Sequence, residues 1–453
     1  MTKIIAKQAL TPQGWVENIC VEIAPDGIIA SITTHKNEMP DAVDILLPAP
    51  VNAHSHSFQR AMAGKTEGRG PESKDSFWTW RAQMFRFLQK LSPDHVEAIA
   101  AMVQMEMLES GYATNVEFHY LHHQIDGTPY DNLAEMAERI AAAAAQTGIG
   151  LTLLPVHYQY ANSNGAALGA GQIRFGTDLD MFSRLLAQSE NILNSLPDDC
   201  RLGAAGHSLR AISLESLHAL IPLAKDGPVH LHLAEQNAEV EEIEARYGKR
   251  PVALLLDRGI LGPQWSLVHC TQMQKEETLG LAASKAITVL CPVTEANLGD
   301  GIFDAVRFLN AGGQIALGSD SNVRITLVEE IRQLEYSQRL RDHSRAALAD
   351  AEQSTGRRIF DAICTGGAKA AGRNSGAIQK GALADLVMLD GRHIDLAHIK
   401  GDQILDHYIF AGSDHMIKDV WSAGRHVVRG GRHIAREKII RQYRKTMTDL
   451  AQN

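Results

Sequence analysis

Long apolar runs are missing from this chain. No uninterrupted stretch reaches the roughly 18 residues that a membrane-crossing helix needs, so no membrane partner is expected. The opening Met1-Thr2-Lys3-Ile4-Ile5-Ala6-Lys7 lacks the longer apolar core of a signal peptide, which predicts a cytoplasmic protein. Cysteine is scarce. Cys20, Cys200, Cys270, Cys291 and Cys364 are odd in number, scattered and free of any CxxC pair. That excludes a disulfide framework and predicts reduced, mostly buried thiols. Positive charge is in deficit, with 44 Lys and Arg against 53 Asp and Glu and a net charge of -9. This argues against a nucleic-acid partner but leaves room for a local positive pocket. Low-complexity sequence is confined to the helix-favouring Ala141 to Ala145, and no short-period repeat is visible.

What is present suits a globular enzyme of more than one domain: 453 residues, 45% hydrophobic and 21% charged. Residues 3–10, 16–23 and 27–33 read as short strands, separated by Pro12-Gln13-Gly14 and Pro25-Asp26-Gly27. Near the other end, Ala384 to Leu389 reads as a strand. Met416 to Ala423 and His426 to Arg429 form a hairpin pattern around Gly424. The two β-rich ends predict one small β-sandwich, residues 1–48 with 375–453. Between them, 49–374 alternates strand and helix signals. The strand candidates are 49–54, 115–120, 150–157, 202–207, 229–233, 266–269, 287–291 and 315–318. Helical segments such as 93–110, 131–146, 178–196, 214–223, 239–246 and 276–285 separate them. Eight strands with intervening helices predict an α/β fold of the (β/α)8 TIM-like barrel type.

In such a barrel, chemistry sits where the strands end. The first strand follows the apolar run Ile45 to Pro50 and ends in His54-Ser55-His56. The second ends in Glu117-Phe118-His119-Tyr120 and the fourth in His207-Ser208-Leu209-Arg210. The fifth is Val229-His230-Leu231-His232-Leu233-Ala234-Glu235. The sixth ends in His269 and the eighth in Ser319-Asp320-Ser321. In an extended chain residues i and i+2 share a face, so His54 and His56 can chelate one cation. His230 and His232 repeat the pattern, and His232 lies nearer the strand end. His54, His56, His232 and Asp320 are therefore the predicted ligands of one divalent cation. Three neutral imidazoles and a carboxylate suit Zn²⁺, or another borderline metal such as Fe²⁺. A cation so held lowers the pKa of a coordinated water toward neutrality. Glu235 is placed to move a proton from water to a leaving amine, though it reads equally as a carboxylate at a helix N-terminus. His269 reads as a polarising group or as a packed core histidine. Asp320 reads as ligand and proton acceptor, or as a turn residue. The set suits hydrolysis at an sp² carbon bearing nitrogen.

Further motifs are Val268-His269-Cys270, the stretch Cys291-Pro292-Val293-Thr294-Glu295-Ala296-Asn297-Leu298-Gly299, and the strand Gly381 to Val387. With these, essentially the whole chain resembles the amidohydrolase superfamily, in its cytosine/adenosine/guanine-type deaminase branch. The fourth strand carries His207 and no lysine where binuclear members hold a carboxylated lysine, which implies a single metal. Within the branch the chain is most similar to the formimidoylglutamate deiminases. The carriers are His54 to Gly64, Ser76 to Arg81, Glu117 to His123 and Gly206 to Ala211. The resemblance implies hydrolysis of N-formimidoyl-L-glutamate to N-formyl-L-glutamate and ammonia, in histidine degradation. It implies that Arg81, Tyr120, His207 and Arg210 hold the glutamyl part and that Gln59 lies near the formimino end. Two arginines suit a small-molecule dicarboxylate, although each alone reads equally as a solvated charge. The alternative is a purine, pterin or adenosyl-type deaminase, which needs fewer charges and more stacking surface. One departure is Asn322, where the family commonly carries histidine. Residues 65–75, rich in glycine and charge, are a candidate lid, and a homodimer is the default assembly.

Overall fold

The computed structural model describes residues 1–36, 42–68 and 77–452. From residue 69 onward the candidate lid lies outside them, as does Ser76. Eight parallel strands close a barrel: Val51–Ser55, Thr114–His119, Gly150–His157, Ala204–Ser208, Val229–Leu233, Trp265–His269, Ile287–Leu290 and Gln314–Leu317. All but His207 and Gln314 are buried along their whole length, as expected for parallel strands covered on both faces. The expected eight strands are all present. Several helices begin where the sequence supplies a side-chain cap, among them those that follow Asp178, Ser213 and Ser354. Pro93–Glu109, for example, has Pro at its first position and the Ser92 hydroxyl accepting from the His95 amide.

The termini together form a second, sandwich-like unit. Thr2–Thr11, Gly14–Ile23, Ile29–Thr34 and Val43–Pro48 join Leu386–Leu389, Ile417–Ser422, Arg425–Arg429 and Arg432–His433 in one eight-stranded sheet. It has its own apolar cluster, including Ile4, Ile19, Val21, Leu46, Leu386 and Trp421. Val43–Pro48 lies between Thr2–Thr11 and Leu386–Leu389 and joins the two ends of the chain. The apolar run before His54 is thus divided between two sheets. Pro48 and Pro50 have no N–H for a ladder, so one strand stops there and the barrel starts afresh at Val51.

The floor of the barrel is closed by the helix Thr355–Ala370. A Cβ on Gly366 would collide with the Ile315 carbonyl, so this helix lies directly against the eighth strand. Its terminal carbonyls, Ala370 and Ala371, accept from His230 at 2.8 Å and from Thr152 at 2.8 Å. His230 therefore satisfies a helix end rather than joining His232. The helix Arg436–Gln452, unforeseen from the sequence, packs on Pro93–Glu109, with Arg436 paired to Glu109. Among the described residues no helix is long and apolar enough to cross a membrane.

Candidate active site

The barrel brings His54, His56, His232 and Asp320 together although they come from its first, fifth and eighth strands. Their ligand atoms all lie within 4.8 Å of one another, and all four residues are buried. His54 Nε2 is 3.2 Å from His56 Nε2 and 3.1 Å from His232 Nε2. Asp320 Oδ1 lies 3.5 and 3.3 Å from the Nε2 atoms of His54 and His56. Burial drives all three imidazoles below their ordinary pKa, so they are neutral at pH 7. His56 Nδ1 donates to the Phe118 carbonyl at 2.9 Å and His232 Nδ1 to the His207 carbonyl at 2.9 Å. That leaves Nε2 lone pairs aimed at one another, which is stable only around a cation. The donor set fits one divalent metal.

The first and eighth strands meet at this point with few ladder bonds, one being a Leu317–Asn52 pairing and another a Ser55–Asp320 bridge. Gly318 permits the approach, since a Cβ there would stand 2.7 Å from the His54 backbone. Side chains complete the seam. Asn52 Nδ2 donates to Ser319 Oγ at 2.7 Å, and Ser319 Oγ donates to Asn322 Oδ1 at 2.6 Å. Asn322 Nδ2 donates to Ser55 Oγ at 3.1 Å and to the Asp320 carbonyl at 3.0 Å. Asn322 has φ 54°, a left-handed conformation that asparagine accepts more readily than most residues. The departure from histidine thus keeps a polar side chain that stitches the metal-side seam.

Glu235 and His269 face Asp320 beside the cluster. His269 Nε2 stands 3.7 Å from Glu235 Oε1 and 3.9 Å from Asp320 Oδ2. Burial opposes the charge on His269, but Glu235, Glu295 and Asp320 outweigh it and push its pKa up to about 10. Burial raises the Glu235 carboxyl to about 7, against the pull of His269 and Arg210. A carboxyl near neutrality can both accept and donate a proton. The Glu235 turn is held firmly. Glu239 accepts from the amides of Ala234 at 3.1 Å and Glu235 at 3.0 Å, and Thr271 Oγ1 donates to the Glu235 carbonyl at 2.7 Å. Ala234, His269, Cys270 and Asp320 all have positive φ, between 47° and 71°. Such strain at strand ends marks a site held by its surroundings.

The cavity above the cluster is lined by Gln59, Arg81, Tyr120, His207 and Arg210. All five sequence candidates for substrate contact therefore share one space with Glu235, His269 and Asp320. Gln59 Nε2 donates to Tyr120 Oη at 2.9 Å, while its Oε1 has no partner among the described residues. Arg81 comes from the helix Phe77–Leu88 and donates to Tyr158 Oη at 3.4 Å. Arg210 is 7% exposed and its Nε is unpartnered among the described residues. Sequence reasoning missed Phe77, Trp80, Met84 and Leu298 as lining residues. It also missed Glu295, whose Oε1 accepts from the Cys291 amide at 2.8 Å and from His269 Nδ1 at 3.3 Å. A carboxylate in the first turn of Pro292–Leu298 was the available signal.

Residues 45–427 match the amidohydrolase family, and residues 1–42 match the N-terminal domain of formimidoylglutamate deiminase HutF. The chain is 43% identical to the formimidoylglutamate deiminase of Pseudomonas aeruginosa, over 99% of this chain and 100% of that one. It is 25% identical to a 5-methylthioadenosine/S-adenosylhomocysteine deaminase of Natronomonas pharaonis, over 88% of this chain and 83% of that one. The crystal structure of an amidohydrolase from Brucella melitensis superposes with a TM-score of 0.95 at 47% identity, each chain being covered in full (100%). An adenosine deaminase from Xanthomonas campestris with bound zinc shares the fold, with a TM-score of 0.81 at 21% identity over 100% and 98% of the two chains. At this identity and coverage the chain belongs to the formimidoylglutamate deiminase family, within the amidohydrolases.

Proposed function

We propose that this protein hydrolyses N-formimidoyl-L-glutamate to N-formyl-L-glutamate and ammonia, a step in histidine degradation. One observation carries the reading. Arg81 and Arg210, from two separate elements, meet in the cavity that has the His54, His56, His232 and Asp320 cluster at its base. Guanidinium groups offer bidentate, charge-assisted pairs to carboxylates, and this substrate has two. Relatedness to the Pseudomonas enzyme supports the same substrate.

His54, His56, His232 and Asp320 would hold one divalent ion, zinc in preference to iron on ligand chemistry, which supplies the Lewis acidity that makes water nucleophilic at neutral pH. The protein's own groups handle the protons. Water oxygen bonds to the formimidoyl carbon as the C=N bond becomes single, and then the C–N bond breaks. Both water protons end on the departing nitrogen. Glu235 carries the first, being buried and near neutrality, and Asp320 accepts the second. His269, charged and facing both carboxylates, stabilises the charge developing on oxygen. Gln59, Tyr120 and His207 orient the substrate between the arginines and the reacting carbon.

We also read the catalytic unit as residues 49–374, with 1–48 and 375–453 as the sandwich-like unit. The restart at Val51 and the separate apolar cluster support that division. We read the enzyme as cytoplasmic; its five cysteines are all unpaired, as in a reducing compartment.

Metal-loaded protein given formimidoylglutamate should release ammonia. Glu235→Gln should lower kcat by about 10² to 10⁴ while keeping its metal. Turnover of an adenosyl compound, with no ammonia from formimidoylglutamate, would overturn the reading.

A further inference from the structure

Trp78, 39% exposed, lies on the helix Phe77–Leu88 that carries Arg81. Single exposed aromatics are common; the neighbours of this one are not. The Arg81 Cζ lies 5.5 Å from the centroid of its ring, and the Arg210 Cζ lies 5.4 Å from the same centroid. Both distances fall within the range of cation–π attraction. Arg81 arrives on a helix, whereas Arg210 comes from the turn after the fourth strand. Neither has a carboxylate partner within ion-pair distance among the described residues. Two like charges in one cavity repel, and the indole is an attractive group that they share.

We propose that Trp78 is a positioning residue for dicarboxylate recognition: its ring sets Arg81 and Arg210 at a fixed separation that matches two carboxylates rather than one. The proposal rests on the substrate reading above. Its chemistry follows from guanidinium geometry. Cation–π contact uses the charge of the group and leaves in-plane N–H donors free for bidentate bonds to a carboxylate. Arg81 is further restrained by Phe85, 4.9 Å from its Cζ, and by Tyr158. Arg210 has no other aromatic cation–π partner among the described residues, so it depends most on the indole.

The test uses the metal-loaded full chain and three variants, Trp78→Leu, Trp78→Phe and Arg210→Met. Formimidoylglutamate is the substrate, and glutarate, which carries two carboxylates and no amidine, is the inhibitor. Trp78→Leu should raise KM about tenfold with kcat within about twofold, and the glutarate inhibition constant should rise in parallel. Trp78→Phe should restore most of both, because a smaller aromatic face remains. If Trp78→Leu leaves KM and glutarate inhibition unchanged while Arg210→Met raises them, the role of Trp78 is overturned and the substrate reading stands. If neither variant moves them, the substrate reading falls and the role of Trp78 falls with it. A loss of kcat or bound metal in Trp78→Leu that Trp78→Phe does not restore identifies a packing role and also overturns the proposal.

Discussion

Asn322 does not line the cavity, yet it bonds to the carbonyl of Asp320 and to Ser55, which lies between His54 and His56, three of the four proposed metal ligands. Groups that orient metal ligands are worth roughly 10- to 100-fold in metal affinity. Asn322→Ala should therefore weaken metal retention by that order, read as faster loss of metal to a chelator. The alanine must also adopt φ 54°, so some stability goes with it. Glu239 acts in the same way on the turn that carries Glu235, the proposed proton carrier. Glu239→Gln keeps the shape but turns one acceptor into a donor that opposes a backbone N–H. Its kcat should fall at least tenfold with KM nearly unchanged, since the proposed glutamyl contacts are elsewhere; steady-state ammonia release checks this. Little of this was legible in the sequence. His54 and His56 declare themselves because strand parity puts i and i+2 on one face. Asn322 and Glu239 act through backbone amides and carbonyls, and no residue pattern reports which carbonyl a side chain will meet.

At the scale of elements, the two units are locked together by charge. Arg373, from the loop after Thr355–Ala370, is 5% exposed. It pairs with Asp199 on the barrel side and with Asp385 beside the terminal sheet, each at 3.1 Å. Asp385 also accepts from the Ala423 amide at 2.7 Å, and Arg425 binds Asp199 at 2.7 Å. Removing one member of a buried ion network strands the others without a partner and costs about 3–5 kcal/mol. Asp385→Ala should thus lower unfolding stability by that amount in urea titrations. A loss below about 1 kcal/mol, the range of exposed pairs, would mean that water reaches the network. The barrel strands themselves were legible, each being a short apolar run bounded by turn residues. The helix Arg436–Gln452 was not: its buried face is sparse, with Ile439, Thr446 and Leu450, and it needs Pro93–Glu109 as a partner to be worth forming.

For the molecule as a whole, buried histidines set the response to acid. Burial holds His157 at about 4 and His119 at about 3. Both lie below the unfolded value near 6.5, so as pH falls from 6.5 the unfolded chain takes up protons first. Their contribution is full above pH 6.5 and is lost as pH drops toward the folded values. His157 alone contributes about 3 kcal/mol across that window. Unfolding midpoints of the wild type should drop clearly from pH 7.5 to pH 5. His157→Asn should show a smaller drop, although it is less stable at pH 7.5 through loss of the 2.8 Å bond to Thr177 Oγ1. An equal drop in both proteins would remove His157 from this account.

Local chemistry on its own announced the barrel, the HxH pair, and Glu235 three residues after His232. Each is a matter of spacing along one strand or one turn, where chain geometry leaves little freedom. The convergence of Arg81 with Arg210, the tuning of His269 by Glu295, and the retirement of His230 to a helix end belong to the folded state. In each of these, residues far apart in the chain meet only once eight strands have closed into a ring. Side-chain meetings across that ring depend on strand stagger and helix packing, which no single segment encodes.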